Sequence, residues 1–137
     1  MFEYMNEQLT EIGVIPVIVI RNASDAMELG KALSEAGMRC AEVTFRTDAA
    51  EETIRIFSEN FPDIIVGAGT VFTKEQVDIA VNAGAKFIDS PIMDTELVDY
   101  CISRNIPVYP GVATPSEAAA GIKRGLQILK FFPAEQI

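Results

Sequence analysis

Short β-branched and apolar runs alternate along the chain with longer amphipathic stretches. The runs begin every 20 to 25 residues, and apolar positions recur at helical spacing in the stretches between them. This alternation is typical of repeated βα units, which build a parallel sheet covered by helices. The pattern predicts six strands, at residues 14–20, 39–44, 64–68, 86–88, 107–109 and 127–131.

Helix start and stop signals divide the stretches between these strands. Most stretches open on Ser, Thr or Asp, which cap helix N-termini, and several end on glycine. Asp48 is expected to open the second helix, and Thr73 opens the third with Glu75 and Gln76 near the capping-box position. The signals predict helices at 24–37, 48–62, 73–84, 94–105 and 114–125, after an extra leading helix at 2–11.

Six parallel strands fit two architectures. An open doubly wound sheet would be complete with six strands. A (β/α)8 barrel typically takes about 250 residues and would here lack its last two units. The length of 137 residues predicts one domain and favours the open sheet, whereas the residues at the strand ends favour the barrel.

Composition narrows the classes of function. Eleven basic and twenty acidic residues give a net charge of -9, which argues against binding to nucleic acid or to an anionic membrane surface. The longest apolar run, 12–20, is far shorter than the roughly twenty residues of a membrane span, and the N-terminus does not resemble a signal peptide. Two cysteines do not make a disulfide framework, so a cytoplasmic protein is expected.

The chain contains no histidine. This excludes a Ser-His-Asp triad, a Cys-His dyad and a His-liganded zinc site built from this chain alone. Acid–base chemistry must therefore come from Glu, Asp, Lys, Tyr or Cys side chains.

An acid and a base share one face of the second predicted strand. Side chains alternate along a strand, so Glu42 and Arg46 lie with Cys40 and Thr44 on the face away from the helices. In a barrel that face points to the interior, near the end where active sites gather. A functional acid–base pair and a structural ion pair remain equally open at this point.

One lysine, Lys130, lies inside the apolar run 127–131. Lysine is almost never fully buried without a reason, and desolvation leaves more of the free amine that Schiff-base enzymes use. The alternative is a lysine that reaches solvent from the end of its strand.

Two further features have structural interpretations. Gly67 and Gly69 suggest a dinucleotide-binding loop, but Phe72 stands where the G-x-G-x-x-G pattern requires its third glycine, so a tight turn after the third strand is favoured. The segment 110–115 is likewise interpreted as a rigid turn. Asp89 has no evident carboxylate or histidine partner and is interpreted as structural.

Six segments, taken together and in order, resemble those of the 2-keto-3-deoxy-6-phosphogluconate (KDPG) and 4-hydroxy-2-oxoglutarate (KHG) aldolase family. The resemblance spans essentially the whole chain. The segments are 13–18 (GVIPVI), 42–47 (EVTFRT), 65–71 (IVGAGTV), 87–91 (FIDSP), 110–115 (PGVATP) and 129–135 (LKFFPAE).

The resemblance implies a (β/α)8 barrel with about six βα units present, and a class I aldolase that needs no metal and no cofactor. Lys130 would form a Schiff base with the keto carbon of the substrate, and Glu42 would move the protons. Four further side chains would bind the substrate: Arg46 at the pyruvyl carboxylate, Thr70 through a hydrogen bond, and Pro91 and Phe132 as walls of the pocket.

The implied partner is a small anionic keto acid, and the implied assembly is a homotrimer. The substrate would be KDPG, cleaved to pyruvate and glyceraldehyde 3-phosphate, or KHG, cleaved to pyruvate and glyoxylate. The chain departs from the family pattern at Ile92-Met93, where Gly-Leu is usual, and it is expected to be C-terminally incomplete, without the glycine-rich phosphate-binding turns.

Two other interpretations stay open. One is a non-catalytic α/β assembly protein that completes its sheet with a partner chain, since unclosed sheet edges invite pairing. The other is a nucleotide-binding open α/β domain, which rests only on the number of strands and on Gly67 and Gly69.

Overall fold

The structure, a computed structural model, describes all of residues 1–137. Six parallel strands follow one another in chain order within one curled sheet, each paired with the next. The strands are β1 (Val17–Ile18), β2 (Cys40–Thr44), β3 (Ile65–Gly69), β4 (Ile88–Ser90), β5 (Val108–Val112) and β6 (Lys130–Phe131).

Helices alternate with the strands, and the predicted leading helix is present. Single 3-10 turns at Ala23–Asp25 and Ala134–Gln136 accompany them. The helices are α1 (Glu3–Ile12), α2 (Ala26–Glu35), α3 (Ala50–Asn60), α4 (Lys74–Ala83), α5 (Thr95–Ser103) and α6 (Pro115–Lys123).

The strand order decides between the two predicted architectures. A doubly wound sheet reverses its strand order at a switch point. Here the order runs from β1 to β6 without reversal, and the sheet curls into a half-barrel of six strands, the first five of which are each followed by an α-helix. The predicted barrel is confirmed, and the open doubly wound sheet is wrong.

The N-termini of three helices are capped by the predicted residues. Thr73 and Gln76 form a reciprocal capping box at α4, and Thr114 and Glu117 form one at α6. The Asp94 carboxylate accepts two backbone N–H groups at the start of α5. Each cap satisfies donors that the first turn of a helix leaves unpaired.

Asp48 does not cap α3, so that prediction is wrong. The backbone N–H of Ala49 donates instead to the hydroxyl of Thr47 at 3.3 Å. The Thr47 hydroxyl also donates to the carbonyl of Ile20, and it thereby ties the start of α3 to the segment after β1.

Several strand limits differ from the predicted ones. The runs 14–20 and 127–131 form only two strand residues each, because β1 and β6 each pair with one neighbour and over two residues only. The tight turns predicted at Gly67–Gly69 and at 110–115 are wrong in part, because Gly69 ends β3 and β5 continues to Val112.

Two apolar clusters lie on opposite faces of the sheet. The larger contains 23 buried residues between the sheet and the helices, among them Ala41 and Val43. The smaller lies on the inner face and contains Leu9, Cys40, Phe87 and Tyr109. The alternation predicted for β2 is therefore confirmed.

Helix α1 covers part of the inner face of the half-barrel. Leu9 packs in the inner cluster, and the Tyr109 hydroxyl donates to the side-chain oxygen of Asn6 at 2.8 Å. Tyr109 is therefore a buried member of the inner cluster. The part of the inner face that α1 does not cover borders a cavity.

Gly67 is needed because the ring of Phe87 occupies the space beside it. A Cβ added at Gly67 would collide with the ring, which is fully buried. The glycine motif is therefore a packing feature of β3 and not a nucleotide loop.

We expect Gly67→Ala to lower the free energy of unfolding by about 1 to 3 kcal/mol, the usual range for overpacking. Urea unfolding of the single variants and of Gly67→Ala combined with Phe87→Leu measures the effect. The free energy of unfolding lost by the double variant should be smaller, by at least about 1 kcal/mol, than the sum of the losses of the two single variants. The reason is that leucine at position 87 relieves the collision with the added methyl group. Additive losses would contradict the assigned contact.

Candidate active site

Lys130 begins β6, and its side chain reaches two carboxylates on the inner face of the half-barrel. Its Nζ lies 2.8 Å from an Oδ atom of Asp89 on β4 and 3.8 Å from an Oε atom of Glu42 on β2. Period-two alternation places all three side chains on this face. The structure therefore joins one amine and two carboxylates from three strands.

The carboxylates are buried, whereas the amine is partly open. Glu42 and Asp89 expose 4% and 8% of their surface, and the Lys130 side chain exposes 27%. The predicted alternative in which Lys130 simply reaches solvent does not describe this arrangement, because its amine donates a hydrogen bond to Asp89.

Burial and mutual repulsion govern the protonation of the two carboxyl groups. Desolvation raises the pKa of Glu42 to about 7, and the charge of Asp89 raises it too, while Lys130 and Arg46 oppose the shift. Desolvation also raises the pKa of Asp89, against the hydrogen bond from Lys130. A carboxyl group that titrates near neutral pH can both give and take a proton.

Gly69 makes room for the carboxylate of Glu42. A Cβ added at Gly69 would collide with the carboxyl group of Glu42. The second glycine of the 67–70 segment therefore allows Glu42 to lie across β3.

Arg46 and Thr70 lie together beyond the carboxyl ends of β2 and β3. The Nε of Arg46 donates to the Thr70 hydroxyl at 3.3 Å. Thr70 has a φ of 56°, a left-handed conformation that is rare for a β-branched residue and recurs at functional sites. Arg46 does not form the predicted alternative ion pair with Glu42, although its charge lowers the pKa of that group.

The remaining two predicted substrate contacts have different surroundings. The Nζ of Lys130 lies 5.1 Å from the centre of the Phe132 ring, within cation–π range. The backbone carbonyl of Pro91 lies against Gly111 on β5, where a Cβ would collide with it. The ring of Phe132 therefore lies beside the Lys130 amine, whereas Pro91 packs against the backbone of β5.

A cavity of about 540 Å³ borders the three charged residues on the inner face. Arg46, Thr70, Pro91 and Phe132 are not part of its wall. The wall consists of Leu9, Thr10, Gly13, Ile15, Val17, Glu42, Phe87, Asp89, Tyr109, Ile128, Leu129 and Lys130.

Asp89 is the site residue that the sequence interpretation missed, since its partner is a lysine 41 positions away and not a carboxylate or histidine. A signal was present in β4. Ile88 packs in the outer core, so alternation places Asp89 on the inner face, as it does Glu42 in β2.

Two general features complete the description. No group of three or more His, Cys, Asp or Glu side chains is placed to hold a metal ion. None of the helices combines the length and the apolar character needed to cross a membrane.

Comparison with known families places this site in context. The family model described as "Aldolase: KDPG and KHG aldolase" matches residues 5–137. The chain belongs to the KDPG and KHG aldolase family. The predicted family is thereby confirmed.

Curated members of the aldolase family are similar over most of this chain. The 2-dehydro-3-deoxy-phosphogluconate aldolase of Treponema pallidum is 41% identical over 129 residues, which cover 94% of this chain and 61% of the relative. The KHG/KDPG aldolase of Escherichia coli is 42% identical over 127 residues, covering 93% and 60%. The chain thus spans about three-fifths of the length of these relatives.

Solved aldolase structures share the fold. The 2-keto-3-deoxy-6-phospho-gluconate aldolase from Zymomonas mobilis superposes with a TM-score of 0.86 at 38% identity, covering 90% of this chain and 59% of that one. The KDPG aldolase from Legionella pneumophila, solved with pyruvate captured at low pH as a covalent carbinolamine intermediate, gives 0.85 at 43% identity, covering 89% and 59%.

Proposed function

We propose that this chain carries the Schiff-base machinery of a class I aldolase that cleaves a 2-keto acid and releases pyruvate. The observation that carries the proposal is the partly open Lys130 amine, which lies 2.8 Å and 3.8 Å from two buried carboxylates. The Legionella relative, captured with pyruvate as a carbinolamine, supports the same chemistry for this chain.

The first step joins Lys130 to the keto carbon. The ammonium gives a proton to Glu42, and the freed lone pair forms a C–N bond with the keto carbon. A second proton moves from the nitrogen to the keto oxygen, which becomes the carbinolamine hydroxyl. The carbinolamine hydroxyl then leaves as water with a proton from Glu42, and a C=N bond forms. An ammonium and a ketone thus become a protonated imine and one water, with the positive charge conserved.

The second step breaks the bond between C3 and C4. Glu42 as carboxylate takes the proton of the C4 hydroxyl, the C3–C4 electron pair moves toward the imine, and an aldehyde leaves. The resulting enamine takes this proton back from Glu42 at C3, and water hydrolyses the protonated imine to release pyruvate and the Lys130 ammonium. The pKa of Glu42, raised to about 7, suits both directions of proton transfer.

The other predicted contacts take supporting roles in this proposal. The Arg46 guanidinium binds the pyruvyl carboxylate, because its planar donors match a carboxylate. Thr70, which already accepts a hydrogen bond from Arg46, contacts the substrate beside it. Phe132 and Pro91 would form apolar walls at the end of the half-barrel where β4 and β6 lead out.

The proposed substrates are small anionic keto acids with a common pyruvyl half. KDPG would give pyruvate and glyceraldehyde 3-phosphate, and KHG would give pyruvate and glyoxylate. The Escherichia coli relative is a KHG/KDPG aldolase, which supports both for this chain. All the proposed contacts lie at the shared pyruvyl half, so the site residues favour neither substrate.

The homotrimer and the cytoplasmic compartment remain predictions. Cys40 and Cys101 are free and buried, and desolvation raises the pKa of each thiol to about 12, as suits a reducing compartment. The non-catalytic assembly protein also stays a prediction, and no particular contact in the structure favours it over the aldolase.

Pyruvate release tests the proposal. The chain is incubated separately with KDPG and with KHG, and pyruvate is followed through lactate dehydrogenase and NADH. We expect release from at least one of the two substrates. Release from neither, in a sample whose folding is verified by circular dichroism, would contradict the proposed activity of this chain.

A further inference from the structure

Asp89 has no role in the proposed reaction, although it is the closest charged partner of the proposed nucleophile. Its Oδ1 accepts a hydrogen bond from the Lys130 Nζ at 2.8 Å, whereas Glu42 lies 3.8 Å from the same atom. Asp89 is 8% exposed and lies in the middle of β4, where the main chain fixes its position. A buried carboxylate in this position needs a cation.

We propose that Asp89 is a positioning residue that serves as the counter-ion of the Lys130 nitrogen, both as the resting ammonium and as the protonated imine. The role at the protonated imine rests on the proposed Schiff-base function. The role at the resting ammonium concerns only the free chain, and it can be tested without any substrate.

Charge conservation supports the same partner for both states. The ammonium and the protonated imine each carry one positive charge and at least one N–H, and the difference between them is the ketone gained and the water lost. A carboxylate fixed at hydrogen-bond distance therefore suits the nitrogen before and after the reaction. The neutral amine exists only between these states.

The surroundings of Lys130 indicate different roles for the two carboxyl groups. Glu42 from β2 accepts no hydrogen bond from the resting ammonium, and its carboxyl group is left free to exchange protons with the nitrogen and with the substrate during the reaction. The Phe132 ring faces the amine but accepts no proton, and Tyr109 from β5 borders the same cavity. Arg46 acts on Glu42 by its charge.

The charge of Asp89 has a second consequence for Glu42. It is the second-largest cause, after desolvation, that raises the pKa of Glu42 to about 7. A counter-ion at Asp89 therefore also keeps a proton available on Glu42 near neutral pH.

The test of the resting state is the reactivity of Lys130 in the full chain. Trace labelling with acetic anhydride across pH, read by peptide mass spectrometry, gives the pH midpoint of Lys130 acetylation. We expect Asp89→Asn to move this midpoint down by about one pH unit, since a neighbouring carboxylate favours the charged amine. If the Asp89→Asn protein does not fold, Asp89→Ser supplies a smaller neutral replacement, and it is expected to shift the Lys130 midpoint in the same direction.

Asp99→Asn is the matched control. Asp99 also accepts hydrogen bonds from a cation, Arg124, but at the surface between α5 and α6. Its replacement is expected to leave the Lys130 midpoint unchanged. An unchanged midpoint in both neutral Asp89 variants would overturn the counter-ion role, because a merely structural role would alter stability without moving this midpoint.

The role at the imine is tested by reductive trapping with pyruvate and cyanoborohydride at a pH above the measured Lys130 midpoint of both proteins, where the starting nitrogen is the neutral amine and only the imine is charged. We expect the trapped fraction in Asp89→Asn to fall about tenfold below wild type, since about one pH unit of lost charge stabilisation corresponds to a factor of ten. Absence of trapping in wild type would contradict the proposed function, and equal trapping in both proteins would contradict the counter-ion role in the imine.

Discussion

Lys130→Arg is expected to reduce pyruvate release by at least about a thousandfold, because the substitution removes the proposed nucleophile. The guanidinium keeps the positive charge beside Glu42 and Asp89, so the electrostatics of the buried cluster survive. It stays protonated at any working pH and therefore supplies no lone pair to a keto carbon. The coupled assay with the favoured substrate measures the effect.

Lys86→Arg is the matched control for this substitution. Lys86 is an exposed lysine just before β4, and it borders none of the residues that carry the proposed reaction. We expect the control to retain wild-type release. If Lys130→Arg retained as much pyruvate release as Lys86→Arg, Lys130 could not be the nucleophile.

Glu42→Gln is expected to lower cleavage and, above neutral pH, to raise stability. Loss of a general acid–base group costs about a hundredfold to ten-thousandfold in rate. The gain in stability follows from the pKa of Glu42, which burial raises from 4.5 to about 7 in the folded state. Glutamine fills nearly the same space and cannot ionise.

The sign of the stability effect follows from proton linkage. Between pH 4.5 and about 7 the folded chain keeps the Glu42 proton while the unfolded chain releases it, so stability falls as pH rises through this window. Above about pH 7 the whole cost of ionising the buried group is present, roughly 3 kcal/mol for this shift. Below pH 4.5 the carboxyl is protonated in both states and the cost vanishes.

Urea unfolding at several pH values between 4 and 8.5 measures this window. The stability of Glu42→Gln relative to wild type should increase steadily across it. Glu117→Gln is an informative control, because backbone N–H groups of Ala113 and Thr114 lower the pKa of Glu117. The stability difference between that control and wild type should change only below about pH 4.5 and stay constant across the window in which Glu42→Gln changes. A constant difference for Glu42→Gln at all pH values would contradict the assigned pKa.

Local sequence signals predicted much of the fold. Thr73 and Thr114 cap their helices because capping depends only on residues within one turn. The alternation around Glu42 placed it on the inner face because the side-chain period of a strand is local as well. The limits of β1 and β6 were harder to predict from the sequence, because they depend on hydrogen bonds to another strand.

The parts that the sequence could not predict depend on distant neighbours. Gly67 and Gly69 resemble turn residues until Phe87 and Glu42 are seen to fill the space beside them. Asp89 lacks a partner in its own segment and acquires one only when β4 and β6 curl toward the same interior. The family resemblance supplied the proposed role of Lys130, and the structure supplied its two carboxylate neighbours.

Reductive trapping with pyruvate tests the central claim most directly. The chain is incubated with pyruvate, reduced with borohydride, digested and mapped by mass spectrometry. The account predicts one stable pyruvate-derived adduct on the peptide that contains Lys130, and none on that peptide in Lys130→Arg. A folded wild-type chain with no adduct at Lys130, or with its adducts spread over exposed lysines, would contradict the Schiff-base claim.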